Sequence, residues 1–243
     1  MAQWLEKRGL KRGVHFSVNM PEGGRRGYVS ILSEGLAYAA YLSVHGKDEE
    51  QRRLAAEFVE YILQRAREAC GGAEPCAVYE KAKEIVEEGK AWGSLTLKDF
   101  EKKVEVNGRT YVVKVIGGDA EIEESRRGKK LLRIRITAEV SRVEGDHIVR
   151  VVREYTITYS RHGERNVAMG YAYARADAPG GREADAERLA AVIEALTGVK
   201  PKVYRKSDGD IEIVCSREHL EGFMRYKELV EAIMRWLEET SRR

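Results

Sequence analysis

The chain has 243 residues, enough to bury a substantial core, with 43% hydrophobic and 34% charged residues. Lys+Arg 43 against Asp+Glu 40 leaves a formal charge of +3, which excludes a long acidic tail and a histone-like polycation but not a local basic face. No run of 18 apolar residues spans a bilayer, and MAQWLEKRGLKRG lacks the apolar core of a signal peptide, so a soluble cytoplasmic protein is expected.

The first twelve residues, with Trp4, Leu5 and Leu10, read as a helix. GVHFSVNM (13–20) alternates, with Phe16, Val18 and Met20 on one face, and PEGGRRG follows as turn chemistry. YVSIL (28–32) is a second strand, and Ser33 is placed to cap a helix running to Leu42. Residues 48–69 form an amphipathic helix with Leu54, Phe58, Ile62 and Ala66 inward. Residues 77–92 form another, with Val78, Ala82, Ile85 and Val86 inward. Between them lies CGGAEPC. Cys70 and Cys76 are either a disulfide closing this loop or two free thiols in a helix connection.

From about 100 to 177 the apolar period changes from 3.6 to 2. KKVEVNGRTYVVKV is a hairpin turning at Asn107-Gly108. Glu123-Glu124 is read as part of a charged turn. Residues 131–143 place Leu132, Ile134, Ile136, Ala138 and Val140 on one face and Arg133, Arg135, Thr137, Glu139 and Ser141 on the other. After a turn at Glu144-Gly145-Asp146, residues 148–160 alternate again, with Tyr155, Ile157 and Tyr159 together. A turn over Arg161 to Asn166 leads to 167–176, where Met169, Tyr171 and Tyr173 oppose a small-residue face of Ala168, Gly170, Ala172 and Ala174. A helix over 182–197, ended by Gly198, precedes two short strands at 200–206 and 210–215. Ser216 then starts one long helix to about 240, with Leu220, Phe223, Tyr226, Val230, Ile233 and Leu237 along one stripe.

This order specifies an α+β fold: a central antiparallel β-meander with packed helices, flanked by two small helix–strand–strand–helix units. The segments are 1–46, 47–99, 100–177 and 182–243, read as one compact domain. The two flanking units share an order of elements rather than letters, as a duplicated ancestral unit would, with the first copy shortened at its start.

Catalytic constellations are sparse. His15, His45, His147, His162 and His219 form no HExxH, and the neighbours Asp146-His147 and Glu218-His219 point apart on a strand or helix. Gly117-Gly118 and Gly180-Gly181 open no phosphate loop, and the three cysteines have no histidine at zinc spacing. No catalytic residue, metal or cofactor is assigned. The suggestive feature is basic strand faces. Lys200, Lys202, Tyr204 and Lys206 alternate onto one side of the C-terminal hairpin, and Arg133 and Arg135 share a side of a meander strand. Such a face can follow a phosphate backbone and stack on bases, as DNA or RNA binding requires. It is equally a solvated strand face with edge lysines that block aggregation. Few amides (Asn19, Asn107, Asn166; Gln3, Gln51, Gln64) with abundant Glu, Lys and Arg is the composition of hyperthermophile proteins.

HFSVNMPEG, GLAYAAYLSVHG, AAEFVEYILQRAREA, EEGKAWGSLTLKDFEKKVEV, LLRIRITAEVSRVEG, VVREYTITY and REHLEGFMRYKELVEAIMRWLEETSR cover most of the chain. They resemble the PaRep type 2b proteins, a repeat family of Pyrobaculum and related crenarchaea. The resemblance implies a hyperthermophilic archaeal source and a truncated member of a dispersed gene family, and supplies no residue roles. AERLAAVIEALTG, PKVYRKSDGDIEIV and SREHLEGFMRY are similar to half of a LAGLIDADG homing-endonuclease module. In that resemblance GYAYARADA stands nearest the signature, with Asp177 as the metal-binding acid, although the run alternates like a strand and has no second acidic copy. The combined expectation is a non-catalytic nucleic-acid-associated protein of mobile-element origin. The alternatives are an interaction or structural domain, self-associating through its amphipathic helices, and a degenerate homing endonuclease.

Overall fold

The computed structural model describes residues 1–7, 9–20, 27–71, 75–144, 147–164 and 166–241. The expected turns at 21–27, 144–146 and 161–166, the pair Asp146-His147 and the loop between Cys70 and Cys76 lie partly or wholly outside these residues. The described chain divides by its contacts into two compact units, Met1–Trp92 with Ser241, and Gly93–Thr240.

In the first unit, α1 (Ala2–Glu6) leads to an antiparallel hairpin of β1 (Phe16–Asn19) and β2 (Tyr28–Ile31). Three helices follow: α2 (Ser33–His45), α3 (Glu49–Glu68) and α4 (Ala77–Ala91). Leu32, not Ser33, occupies the N-cap of α2; its carbonyl accepts from Gly35 and Leu36 N–H. Asp48 caps α3 by accepting from Gln51 N–H at 2.8 Å. The core joins Leu36, Ala39 and Ala40 of α2 to Val59 and Ala66 of α3 and to Ala82 and Val86 of α4. Helix α2 meets α4 at backbone distance: a Cβ on Gly89 would lie 2.1 Å from the Ala37 carbonyl oxygen. Val78, expected inward, stands exposed in the first turn of α4.

His15 is 4% exposed, stacks on Tyr38 with centroids 4.6 Å apart, and accepts the Lys11 N–H at Nδ1. Burial, reinforced by Lys11 and opposed by Glu34, lowers its pKa from 6.5 to about 4. The unfolded chain therefore takes up a proton that the folded chain refuses. Stability present above pH 6.5 falls by about 3 kcal/mol as pH drops toward the folded value. His15→Asn, which keeps an acceptor near the Nδ1 position, is expected to flatten this part of the pH–Tm profile. Parallel profiles for the two proteins would contradict it.

The Cys70 and Cys76 sulfurs are bonded, while Cys215 is a free buried thiol that burial pushes up to about 12. A thiol reagent is expected to find no reactive cysteine in the native protein, one after unfolding, and all 3 once reductant is added. Reduction should also destabilise the α3–α4 connection by about 2 kcal/mol. More than one reactive thiol in the unfolded, unreduced chain would contradict the bridge.

The second unit is built on one curled sheet. Its strands are β3 (Glu101–Val106), β4 (Arg109–Glu124), β5 (Lys130–Glu144), β6 (His147–His162), β7 (Val167–Tyr173), β8 (Lys202–Arg205) and β9 (Ile211–Cys215). They lie in the order β3-β4-β5-β6-β7-β9-β8, antiparallel throughout. The fold is α+β with a central meander, as the alternation implies. The C-terminal hairpin is not separate from that meander: β9 pairs with β7 and extends the sheet. Helices α5 (Gly181–Thr197), α6 (Arg217–Phe223) and α7 (Val230–Thr240) cover one face. That face buries Leu132, Ile134 and Ile136 of β5, Tyr155, Ile157 and Tyr159 of β6, and Ile211 and Ile213 of β9. Gly170 on the small-residue face of β7 makes room for a ring, since a Cβ there would lie 2.7 Å from Tyr159.

Two expected elements change. Glu123-Glu124 lies on β4, because an irregularity between Val115 and Gly117 absorbs the break in alternation and lets the strand continue. The long C-terminal helix divides into α6 and α7. Gly93 and Leu95 N–H donate to the Met224 and Arg225 carbonyls, and Lys227 N–H donates to Leu95. The Glu228 carboxylate accepts from Thr96 and Leu97. These bonds draw residues 224–228 out of helical pairing.

Candidate nucleic-acid interface

Alternation sends every second residue of the sheet to the face opposite α5, α6 and α7. The register then aligns these residues across strands. Arg133 pairs with Thr158, Thr158 with Tyr171, Tyr171 with Val214, and Val214 with Lys202. The row crosses five strands, four steps of about 4.8 Å each. In the next row Arg135 lies beside Thr156, while Tyr173 pairs with Glu212 and Glu212 with Tyr204. Arg133, Arg135, Lys202 and Tyr204, expected on separate ribbons, therefore share one sheet face. Lys206 follows β8, with Nζ 5.1 Å from the Tyr173 ring centroid.

Lys200 does not join them. Its ammonium lies 3.9 Å from Glu194 of α5, on the helix side. Pro201 separates it from β8, whose pairing begins at Lys202, so the period-two extrapolation fails by one step.

The arginines are neutralised within the sheet. Asp119, Glu121 and Glu123 project from β4 beside them. Arg133 contacts Glu123 at 2.9 Å, and Arg135 contacts Asp119 at 3.1 Å, Glu123 at 3.3 Å and also Glu121. Hydrogen bonding to Arg135 lowers the Glu121 pKa, and that to Glu121 raises the arginine's. Both guanidinium groups are thus engaged by acids of the neighbouring strand. Lys206 is also paired, with Glu212 at 3.3 Å, whereas Lys202 is exposed and has no ion pair among the described residues.

What the β7–β9–β8 part of this face presents is aromatic. Tyr173 and Tyr204 are half exposed, at 52% and 50%. Tyr171 is less exposed and lies 5.2 Å from the His162 ring. The Tyr173 hydroxyl donates to Glu212, which raises its pKa and keeps the phenol neutral. Thr156, Thr158 and Ser160 add hydroxyl groups from β6. Flat rings with nearby ammonium groups can stack on bases and contact phosphates. Tyr171 and Tyr173 are absent from the basic-face reading, although alternation had put both on one side of β7; their alignment with β8 depends on register.

The remaining chemistry-bearing residues are structural or solvated. His219 is buried and closes the capping box of α6 with Ser216. Asp177 lies beyond the end of β7, exposed and 2.7 Å from Arg175, and GYAY of the GYAYARADA run is strand. Among the described residues no three His, Cys, Asp or Glu side chains are arranged to hold a metal ion. No described helix is long and apolar enough to cross a membrane. Comparison with family models, curated proteins and solved structures gives no match.

Proposed function

We propose that this is a non-catalytic nucleic-acid-binding protein that engages a single strand on the β7–β9–β8 part of its exposed sheet face. The observation that carries the reading is the presence of Tyr171, Tyr173 and Tyr204 on one face with Lys202 and Lys206. Each ring offers a sequence-tolerant stacking surface, and the two lysines supply the phosphate contacts, Lys202 directly and Lys206 by exchanging its single Glu212 contact for a phosphate. Neutralisation of Arg133 and Arg135 favours a single strand over a duplex, because duplex affinity relies on many free cations. A cytoplasmic setting and descent from a mobile element belong to the same proposal and rest on the PaRep resemblance and the sequence alone.

The test is fluorescence anisotropy with a labelled twelve-nucleotide single strand and its duplex, between about 50 and 200 mM salt. Two phosphate contacts give a slope of log K against log salt of about −1.4. The single strand is expected to bind more tightly than the duplex with that shallow slope. Preference for duplex, or no single-strand binding, overturns the reading.

A second reading is a protein-docking face. It is favoured by the paired arginines and by Val143, Ile148 and Val152, which stand 71%, 58% and 56% exposed on the same side of β5 and β6. It predicts self-association by sedimentation, with no response to nucleic acid.

A further inference from the structure

Glu212 of β9 stands between the two most exposed rings of the tyrosine platform, in register with Tyr173 on one side and Tyr204 on the other. Side chains facing each other across one strand step lie about 5 Å apart, so a base stacked on either ring brings its edge within reach of this carboxylate. One of its oxygens is engaged: Oε1 accepts the Tyr173 hydroxyl and lies 3.3 Å from the Lys206 ammonium. Oε2 has no partner among the described residues. The Glu212 side chain is only 15% exposed, so water serves it poorly and an N–H that reaches it is worth more than at an open surface. When Lys206 exchanges its contact for a phosphate, the carboxylate loses that donor, and a base N–H can replace it.

We propose that Glu212 makes the β7–β9–β8 face select bases bearing an exocyclic amino group over uracil and thymine. The inference rests on the single-strand reading of this face and adds a substrate preference to it. The rings accept any base, but an ionised carboxylate accepts hydrogen bonds and never donates them. Cytosine, adenine and guanine each carry an amino group, whereas uracil and thymine carry carbonyl oxygens and no amino group. A stacked amino base donates an N–H to Oε2. A stacked uracil sets a carbonyl oxygen against the carboxylate, acceptor against acceptor. Uracil still stacks on the rings, so the effect is a preference and not an exclusion.

Fluorescence anisotropy with labelled twelve-nucleotide strands of deoxycytidine, deoxyuridine and the 2-pyrimidinone deoxynucleotide isolates this contact. The three rings are of one size and carry an amino group, a carbonyl oxygen and a hydrogen at the same position. A slightly alkaline buffer keeps cytosine unprotonated. The cytosine strand is expected to bind about five- to tenfold more tightly than the uracil strand, with the pyrimidinone strand between them. Glu212→Gln keeps an oxygen for the Tyr173 hydroxyl and adds an N–H for the uracil carbonyl, so cytosine and uracil strands should then bind within about twofold of each other. A uracil strand that binds the wild-type protein as tightly as the cytosine strand, or more tightly, overturns the proposal and leaves the single-strand reading standing. So does a cytosine preference that persists unchanged in folded Glu212→Gln. Should that variant fail to fold, the pyrimidinone strand decides in the wild-type protein: affinity equal to that of the cytosine strand means that the amino group contributes nothing and overturns the proposal. Failure of all three strands to bind overturns the reading of the face itself, and this inference with it.

Discussion

Replacing Asp185 by alanine should cost the second unit about 3–5 kcal/mol, the range for removing one partner of a buried ion pair. Asp185 lies in the first turns of α5 and is fully buried. Its carboxylate accepts from Arg153 at 2.7 Å, from the Arg175 backbone N–H at 2.8 Å, and from Arg188 at 3.5 Å. Arg188 is itself 5% exposed and donates its other short bond to the Pro179 carbonyl at 2.6 Å. Truncation leaves two arginines facing a low-dielectric space without their counter-charge. Solvent cannot reach the gap freely, so the desolvation cost of Arg188 remains. The contrast lies two residues earlier. Glu183 pairs with Arg205 at 2.8 Å, but both side chains are more than half exposed, and Glu183→Ala should cost less than 1 kcal/mol. Urea denaturation of both variants checks the pair. Equal, small shifts in midpoint would mean that the buried network adds no stability.

Tyr173→Ala and Tyr204→Ala should each weaken single-strand binding by about 1–3 kcal/mol, the value of one base–aromatic stack. The rings sit on β7 and β8 at the same level, joined through Glu212 of β9, so the two substitutions remove neighbouring steps of one platform. Both are about half exposed, and neither substitution opens a core cavity. Tyr→Phe at the same positions should retain most of the affinity, because stacking needs the ring and not the hydroxyl. At residue 173 the phenylalanine also releases Glu212 from the phenol. Arg133→Ala and Arg135→Ala should change affinity little, since their guanidinium groups are engaged by Asp119, Glu121 and Glu123. A steep loss at the arginines with none at the tyrosines would place binding on the wrong half of the face.

Local signals carried the meander well. Alternation through Leu132, Ile134, Ile136, Ala138 and Val140 sets the buried side of β5, and Asn107-Gly108 adopts the positive φ values, 51° and 74°, that a tight hairpin requires. Long-range pairing is not written in that pattern. DAEIEE places acids at 119, 121 and 123, but only the register of β4 against β5 brings them to Arg133 and Arg135. The irregularity near Ile116 hid this strand half by shifting its alternation. The stripe from Leu220 to Leu237 fits one helix, yet hydrogen bonds to residues 93–97 divide it, and those partners lie more than a hundred positions away in the chain. The basic face was legible as a set of strand residues. Its neutralisation, and the tyrosine platform beside it, required the sheet order β7-β9-β8.

Photo-cross-linking of the intact protein to a single-stranded oligonucleotide carrying 5-iodouridine, followed by peptide mass spectrometry, locates bound bases side chain by side chain. Cross-links are expected on Tyr173 and Tyr204, with Tyr171 or His162 as neighbours, and should fade as unlabelled single strand is added. Cross-links confined to other residues, or a yield that unlabelled strand does not reduce, would contradict an aromatic platform on the exposed sheet.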